Sequence, residues 1–253
     1  MGHMYSESLE GKVAIVTGAD RGIGRAVAEG YAAAGAHVVV SSRTETDIQL
    51  VASEIESDGG KALPILYDVT QHESVQAMVD EAAGLLGGLD ILFINAGGNT
   101  IWNTPIEEVD PGDWHDCIEL NLNSAFYTIR ARIPYLKKRG SGKIILMGSG
   151  LGYRGQVNLT TYSLGKARLW HFTRLLAEEL LPFDITVNEM VPGIVHTKLK
   201  ESELPERKLV DQLGGSYEYR KLPEDVVPLA LHLATMPKYG PTPQTFSLTR
   251  RWI

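Results

Sequence analysis

The chain has 253 residues, 43% of them hydrophobic, and a formal charge of -7 from 24 Lys and Arg against 31 Asp and Glu. That is enough for one large α/β core or two small ones, and the scattered basic residues exclude a long-range field that would draw nucleic acid or an anionic membrane. The single cysteine, Cys117, excludes an internal disulfide framework and fits a reducing compartment.

The opening MGHMYSESLEGK lacks the apolar centre of a secretion signal, and MGHM resembles a cloning remnant. Residues 1–8 are therefore expected to be an unordered, tag-like leader. No apolar run reaches the roughly 18–20 residues of a membrane helix. A soluble, cytoplasmic protein is expected. Short apolar, β-branched runs predict strands at 12–17, 36–42, 61–67, 90–95, 143–148 and 184–190, with 245–248 as a candidate seventh. They are apolar almost throughout, as parallel strands covered on both faces must be. Helical patterns fill the gaps at 22–34, 45–58, 72–86, 112–138, 160–181 and 223–236. The alternation predicts an α/β fold, a three-layer, doubly wound parallel sheet of about seven strands with helices on both faces. Right-handed crossovers then put any ligand at the C-terminal strand ends. The least regular stretch, 194–222, is expected to be a lid over a binding site.

VTGADRGIGRA follows the first strand and opens the first helix, with Gly18, Gly22 and Gly24 spaced G-xxx-G-x-G. Missing side chains let backbone approach a pyrophosphate, and a helix N-terminus offers unpaired N–H groups to it. The plain alternative is three turn glycines. TGADRGIG resembles the cofactor motif of the short-chain dehydrogenase/reductase family in its single-domain branch. The resemblance covers residues 9–248 and implies one Rossmann-type domain spanning the chain.

The resemblance assigns Gly18, Asp20, Arg21, Gly22, Ile23 and Gly24 to the cofactor loop. An acidic residue at the end of the second strand would hold the adenosine ribose of NAD. Here Ser42 stands there, followed by Arg43. A guanidinium binds a 2′-phosphate that a carboxylate would repel, and Arg21 adds a second positive group. NADP(H) is therefore expected over NAD(H), although Arg43 alone reads equally as a solvated arginine. In similar proteins Asp68 and the backbone of Val69 take the adenine. The same aspartate could instead cap the following segment, a place Thr70 could also fill. INAGG resembles the family's NNAG with Ile94 in place of the first asparagine. Asn95, Ala96 and Gly97 are expected beside the adenosine ribose.

Tyr162 and Lys166, in TYSLGKA, lie i, i+4 on one helix face. An ammonium beside a phenol is expected to lower its pKa toward working pH and make a general acid or base. The spacing alone is common among incidental surface pairs. Its company is what matters: Ser149 ends the fifth strand thirteen residues earlier, and Asn121 stands on the helix after the fourth strand. The resemblance implies that Ser149 positions a carbonyl oxygen beside the Tyr162 hydroxyl. It gives Asn121, rather than Asn123, a water-linked proton relay to Lys166, and lets Lys166 also hold the nicotinamide ribose. Pro192, Gly193, Ile194 and Thr197 resemble the segment that binds the carboxamide. Tyr153, Asn158, Gly98 and Trp102, with Ser149, are expected to line the substrate pocket.

The seven histidines show no metal-ligand spacing, so no metal is expected. In similar proteins the 112–138 and 160–181 helices pair across a dimer axis, which implies a homotetramer or homodimer. The C-terminal YGPTPQTFSLTRRWI departs from the family, with Pro243 at a usual glycine. The expected activity is an NADP(H)-dependent interconversion of a carbonyl and a secondary alcohol, resembling 3-oxoacyl reductases. A sugar or polyol dehydrogenase is the enzymatic alternative, and a non-catalytic cofactor sensor the alternative of a different class.

Overall fold

Alternate residues of each central strand enter different cores. Ala14 and Val16, with Val38 and Val40, pack toward one face, while Val13, Ile15 and Val39 pack toward the other. That alternation is why the strands are apolar at every position. The computed structural model describes residues 9–197, 209–212 and 216–249. Its first six strands are β1 (Val13–Thr17), β2 (His37–Ser42), β3 (Lys61–Leu66), β4 (Ile91–Ile94), β5 (Gly142–Met147) and β6 (Ile185–Val191). Two short strands follow, β7 (Leu209–Gln212) and β8 (Ser216–Tyr219), and then β9 (Thr245–Ser247). The main sheet runs β3-β2-β1-β4-β5-β6-β9 and is parallel throughout. β3 is an edge strand, which is why it tolerates Pro64.

Helices α1 (Gly22–Ala33), α2 (Glu45–Ser57) and α8 (Val227–Thr235) cover one face. Helices α3 (His72–Leu86), α5 (Ser124–Arg139) and α7 (Thr160–Leu180) cover the other. Each buried Val, Leu, Ile or Phe contributes about 1.5–3 kcal/mol of transfer free energy. The stops are local chemistry. Gly87 and Gly140 end α3 and α5 in the left-handed conformation, and Lys137, Lys138 and Arg139 meet the negative end of α5.

Three expectations change. The helix expected over 112–138 is α4 (Pro111–Ile118), a π turn (Glu119–Asn123) and then α5. Its start is capped by Asp110, which accepts from the Gly112 N–H at 2.7 Å. The helix expected over 223–236 begins as a 3₁₀ turn, Pro223–Val226. The stretch 194–222, expected to be irregular, contains the antiparallel hairpin β7–β8. Four-residue strands are too short to show a period. The two ends of this stretch meet, since the Lys221 N–H donates to the Ile194 carbonyl and the His196 N–H to the Lys221 carbonyl, both at 2.9 Å. Residues 1–8, 198–208, 213–215 and 250–253, which include part of the expected lid and the tail's end, lie outside the described residues. Among the described residues no helix is long and apolar enough to cross a membrane.

At the N-terminal ends of the central strands, opposite the ends that carry the site, Asp90 joins three elements. It accepts from the Val13 N–H at 3.0 Å and from Arg139 Nε and Nη2 at 3.1 and 3.2 Å, with Lys12 Nζ at 3.4 Å. Burial opposes its ionisation, but these donors outweigh it and hold the carboxyl below its ordinary value. A depressed folded value stabilises fully above the unfolded value of about 4 and is lost as pH falls through the folded one. Asp90→Asn is expected to cost about 1–3 kcal/mol at neutral pH by urea unfolding. The gap from wild type should close as the pH is taken below about 4. Equal stabilities at neutral pH would show that the junction contributes nothing.

Candidate active site

The C-terminal ends of β1 and β4 part where the chain's helices turn to opposite faces, and side chains from both strands close the gap. Thr17 Oγ1 accepts the N–H groups of Asn95 and Ala96, each at 2.9 Å. Asn95 Nδ2 donates to the carbonyls of Thr17 and Gly18 at 3.0 and 3.1 Å. A Cβ at Gly24 would overlap the Gly18 carbonyl oxygen and lie 2.6 Å from Asn95 Nδ2. Gly18 and Gly22 have φ of +62° and +55°, which a glycine accepts without strain. Arg21, at the N-cap of α1, makes no side-chain cap bond, and the first turn carries no acid. The first N–H groups of α1 thus lack a capping acceptor at the positive end of the helix dipole, a donor set that suits a phosphate.

The adenosine side is mixed. Arg43 is exposed. Arg21 is 84% exposed and pairs loosely with Asp20 at 3.8 Å. Ser42 is buried, and its Oγ accepts from the Thr44 N–H at 3.2 Å. Asp68 Oδ1 accepts from the Thr70 N–H and hydroxyl at 2.9 and 2.8 Å, while Ser74 Oγ takes the Asp68 N–H. One oxygen of Asp68 is thus engaged in a local turn with Thr70, while the helix cap that was its alternative role falls to Gln71, which makes no side-chain cap bond. Val69 beside it is buried.

The four predicted catalytic residues converge. Asn121 sits in the π turn, which frees a carbonyl that its own side chain then meets. Its Nδ2 donates to the Cys117 carbonyl at 2.9 Å and to the Gly98 carbonyl at 2.7 Å, and its Oδ1 accepts from the Gly98 N–H at 3.1 Å. The side-chain amide thus clamps the Gly97–Gly98 backbone. A Cβ at Gly97, φ +158°, would lie 3.0 Å from Asn121 Oδ1 and 3.3 Å from Lys166 Nζ. Lys166 is buried, and its Nζ donates to the Met147 carbonyl at 2.8 Å. Its ammonium lies 5.8 Å from the Tyr162 ring centre.

Burial sets both titrations. It pulls Lys166 down to about 8, against smaller opposing effects of Glu189 and Cys117. It pushes the Tyr162 phenol up, partly offset by a hydrogen bond with the Ser149 hydroxyl. The phenol therefore moves opposite to the direction expected from the lysine, because desolvation dominates it. Ser149 Oγ also accepts the Leu151 N–H at 3.2 Å.

On the far side, Gly193 has φ +74° after the buried Pro192. Thr197 reaches the glycine loop, for a Cβ at Gly22 would lie 3.0 Å from Thr197 Cβ. Ile194 is half-buried, with its carbonyl held by Lys221. Among the pocket residues, Trp102 is 70% exposed. Asn158 Nδ2 donates to Asn103 Oδ1 at 3.1 Å, joining the loop that carries Trp102 to the loop before α7. Tyr153 differs from expectation. Its hydroxyl turns to Glu189 and Thr245 instead of offering a polar contact to a substrate. Sequence reasoning missed Thr17, the Met147 carbonyl, Cys117 and Glu189. For Glu189 a signal existed, a carboxylate in the strand pattern ITVNEMV, whose other polar residues, Thr186 and Asn188, are uncharged. Among the described residues no group of three metal-ligating side chains occurs.

The family model described as short chain dehydrogenase matches residues 12–208. The chain is 34% identical over 221 residues to the 3-oxoacyl-[acyl-carrier-protein] reductase FabG of Escherichia coli (strain K12), covering 83% of this chain and 87% of that protein. It is 32% identical over 219 residues to dehydrogenase/reductase SDR family member 4 of Sus scrofa, covering 86% and 78%. Its fold is similar to the crystal structure of a short-chain type dehydrogenase/reductase from Mycobacterium marinum, with TM-score 0.80 and 34% identity over 94% of both chains. It is also similar to a metagenomic short-chain oxidoreductase in complex with NADP, with TM-score 0.81 and 26% identity, over 96% of this chain and 100% of that one.

The crowding at Gly24 makes a direct test of the loop. Gly24→Ala must displace both the Gly18 carbonyl and the Asn95 amide, so a loss of about 1–3 kcal/mol is expected in chemical denaturation. Unchanged stability would mean that the two strand ends are not held together as described.

Proposed function

The chain belongs to the short-chain dehydrogenase/reductase family, and we propose that it is an NADP(H)-dependent reductase of carbonyl compounds of the 3-oxoacyl kind. As a member of that family it is an oxidoreductase of CH–OH and C=O groups using a nicotinamide dinucleotide. The observation that carries the proposal is the convergence of Asn121 and Lys166 on Gly97, with Tyr162 hydrogen-bonded to Ser149 beside them. The crowded glycine turn and the uncapped start of α1 fit a pyrophosphate. Arg43 and Arg21 would take a 2′-phosphate, with Ser42 beside them, and Asp68 and Val69 the adenine. Asn95, Ala96 and Lys166 would hold the riboses, and Pro192 to Ile194 with Thr197 the carboxamide. The solved relative bound to NADP supports the choice of the phosphorylated cofactor.

When bound, the reduced nicotinamide supplies the hydride. The protein's task is the oxygen. Ser149 Oγ and Tyr162 Oη donate hydrogen bonds to the carbonyl oxygen, where negative charge develops. Tyr162 then gives it a proton. The phenol, pushed up by burial, holds that proton at neutral pH, as the acid role in reduction requires. Lys166, drawn to about 8, can release a proton near neutrality and restore the phenol. Asn121 holds the Gly97–Gly98 backbone in place beside the lysine. The exposed Trp102 and Val157, on loops joined by the Asn103–Asn158 bond, support an apolar chain beyond the carbonyl. The names of the reductase relatives support the 3-oxoacyl class. Exposed Phe126, Leu164 and Leu175 on α5 and α7 support pairing of these helices in a homodimer or homotetramer. The lone buried Cys117 fits a cytoplasmic setting.

NADPH consumption with acetoacetyl-coenzyme A, cyclic ketones and, in reverse, polyols tests the reading. Turnover of the 3-oxoacyl probe is expected, and polyol oxidation alone would replace it. Tyr162→Phe should lower kcat by about a thousandfold with NADPH affinity within about threefold of wild type. Arg43→Ala should weaken NADPH by about tenfold and leave NADH unchanged. Equal affinities of the wild type for the two cofactors would sink the NADP(H) assignment.

A further inference from the structure

Glu189 occupies the middle of β6, opposite Leu146 of β5, and exposes none of its surface. An apolar residue of similar volume would serve the sheet at least as well, because burying a carboxylate is costly. Its Oε2 accepts hydrogen bonds from Tyr153 of α6 (Leu151–Arg154) and, at 2.8 Å, from Thr245 of β9. Its Oε1 has no partner among the described residues and lies against Gly148, where any Cβ would overlap it. The glycine makes room for the acid.

Two routes lead from this carboxylate to the site. The first is mechanical. α6 begins two residues after Ser149, whose hydroxyl accepts the Leu151 N–H and whose carbonyl accepts the Gly152 N–H at 2.9 Å. Gly152 in turn presses on α7 at the lysine, since a Cβ there would lie 2.8 Å from the Lys166 carbonyl carbon. Anchoring Tyr153 therefore fixes the segment that carries Ser149. The second route is electrostatic. Lys166 Nζ is bonded to the carbonyl of Met147, and Glu189 Oε1 lies against the next residue, Gly148. Cation and carboxylate sit around the same end of β5.

We propose that Glu189 is a positioning residue for the reductive site, holding the Ser149 segment in place through Tyr153 and presenting a buried negative charge to the Lys166 ammonium. The inference rests on the proposed carbonyl-reductase reading. The other groups around the pair are accounted for. Tyr153 and Thr245 face the acid from α6 and β9. Arg174 of α7 reaches Thr245 at 3.4 Å and lies over the Trp170 ring at 4.0 Å. Cys117 of α4 faces Lys166, and Tyr162 shares its helix. Burial pushes Glu189 up and Lys166 down, and each charge opposes the shift of the other. Without the acid's charge the lysine keeps burial and loses its counterion, so it gives up its proton at lower pH.

The experiment measures NADPH affinity by cofactor fluorescence from about pH 6 to 10 for wild type and Glu189→Gln, a range spanning the lysine's shifted and ordinary values. The glutamine still accepts from Tyr153 and Thr245. Affinity should fall as the Lys166 ammonium titrates, and in Glu189→Gln the midpoint should lie lower by about half a unit or more, with affinity at pH 6 within about twofold. An unchanged midpoint, or a wild-type affinity independent of pH, overturns the electrostatic half. Tyr153→Phe tests the other half. It should lower kcat for acetoacetyl-coenzyme A by about fivefold or more while the KM for NADPH stays within about twofold. A wild-type kcat overturns it. Should Glu189→Gln show no melting transition, Tyr153→Phe alone decides. A wild type that binds NADPH yet reduces no carbonyl defeats the functional reading, and the affinity titration still judges Glu189.

Discussion

The closure of β1 on β4 is the constraint from which the rest of the site follows. At a topological switch point the strand ends part, because successive crossovers leave for opposite faces of the sheet. Here the Thr17 hydroxyl takes two backbone donors from β4, and the Asn95 amide returns two bonds to β1 and its glycine turn. Gly24 can approach this junction only because it has no side chain. The start of α1 and the backbone at Gly97 are thereby placed together at one edge. So are Asn121 and Lys166, which close on that backbone from behind.

Desolvation then selects the chemistry. One cause moves the two key groups in opposite directions, raising the phenol of Tyr162 and lowering the ammonium of Lys166. Both shifts favour the uncharged form, as burial must. The phenol so produced keeps its proton for a carbonyl, and the lysine titrates close to neutrality. A turn of helix in water with the same two residues would leave the lysine near its ordinary value, since the shift comes from the sheet and helices packed around it.

The β6 edge shows how polar groups are accommodated in the core. The Thr242 hydroxyl bonds the Val187 backbone both ways, and Asn188 takes the Gln244 N–H and donates to the Pro241 carbonyl. These bonds seat the C-terminal segment so that β9 can pair, and Thr245 from that strand meets Glu189. The departures from the family ending at YGPTPQTF thus fall in a segment that is well tied to the sheet. Among the described residues there, only Glu189 keeps an unmet oxygen, which sets it apart from its neighbours.

The sequence by itself determined the parallel α/β sheet, the glycine turn and the order of Ser149, Tyr162 and Lys166 along the chain. These follow from local signals: apolar runs of strand length, glycines next to a helix start, and a spacing of four on one helix. The tertiary structure decided what depends on distant partners. The π turn at Asn121 exists because its amide finds Gly98, 23 residues away in sequence. Tyr153 faces Glu189 because β6 lies beside the end of β5, 36 residues on. The β7–β8 hairpin is too short to leave a period in the residues, and the balance of burial against charge at Tyr162 depends on what packs over it. Spacing can place two side chains on one face; only the packed fold removes the water, and so raises the phenol and lowers the ammonium.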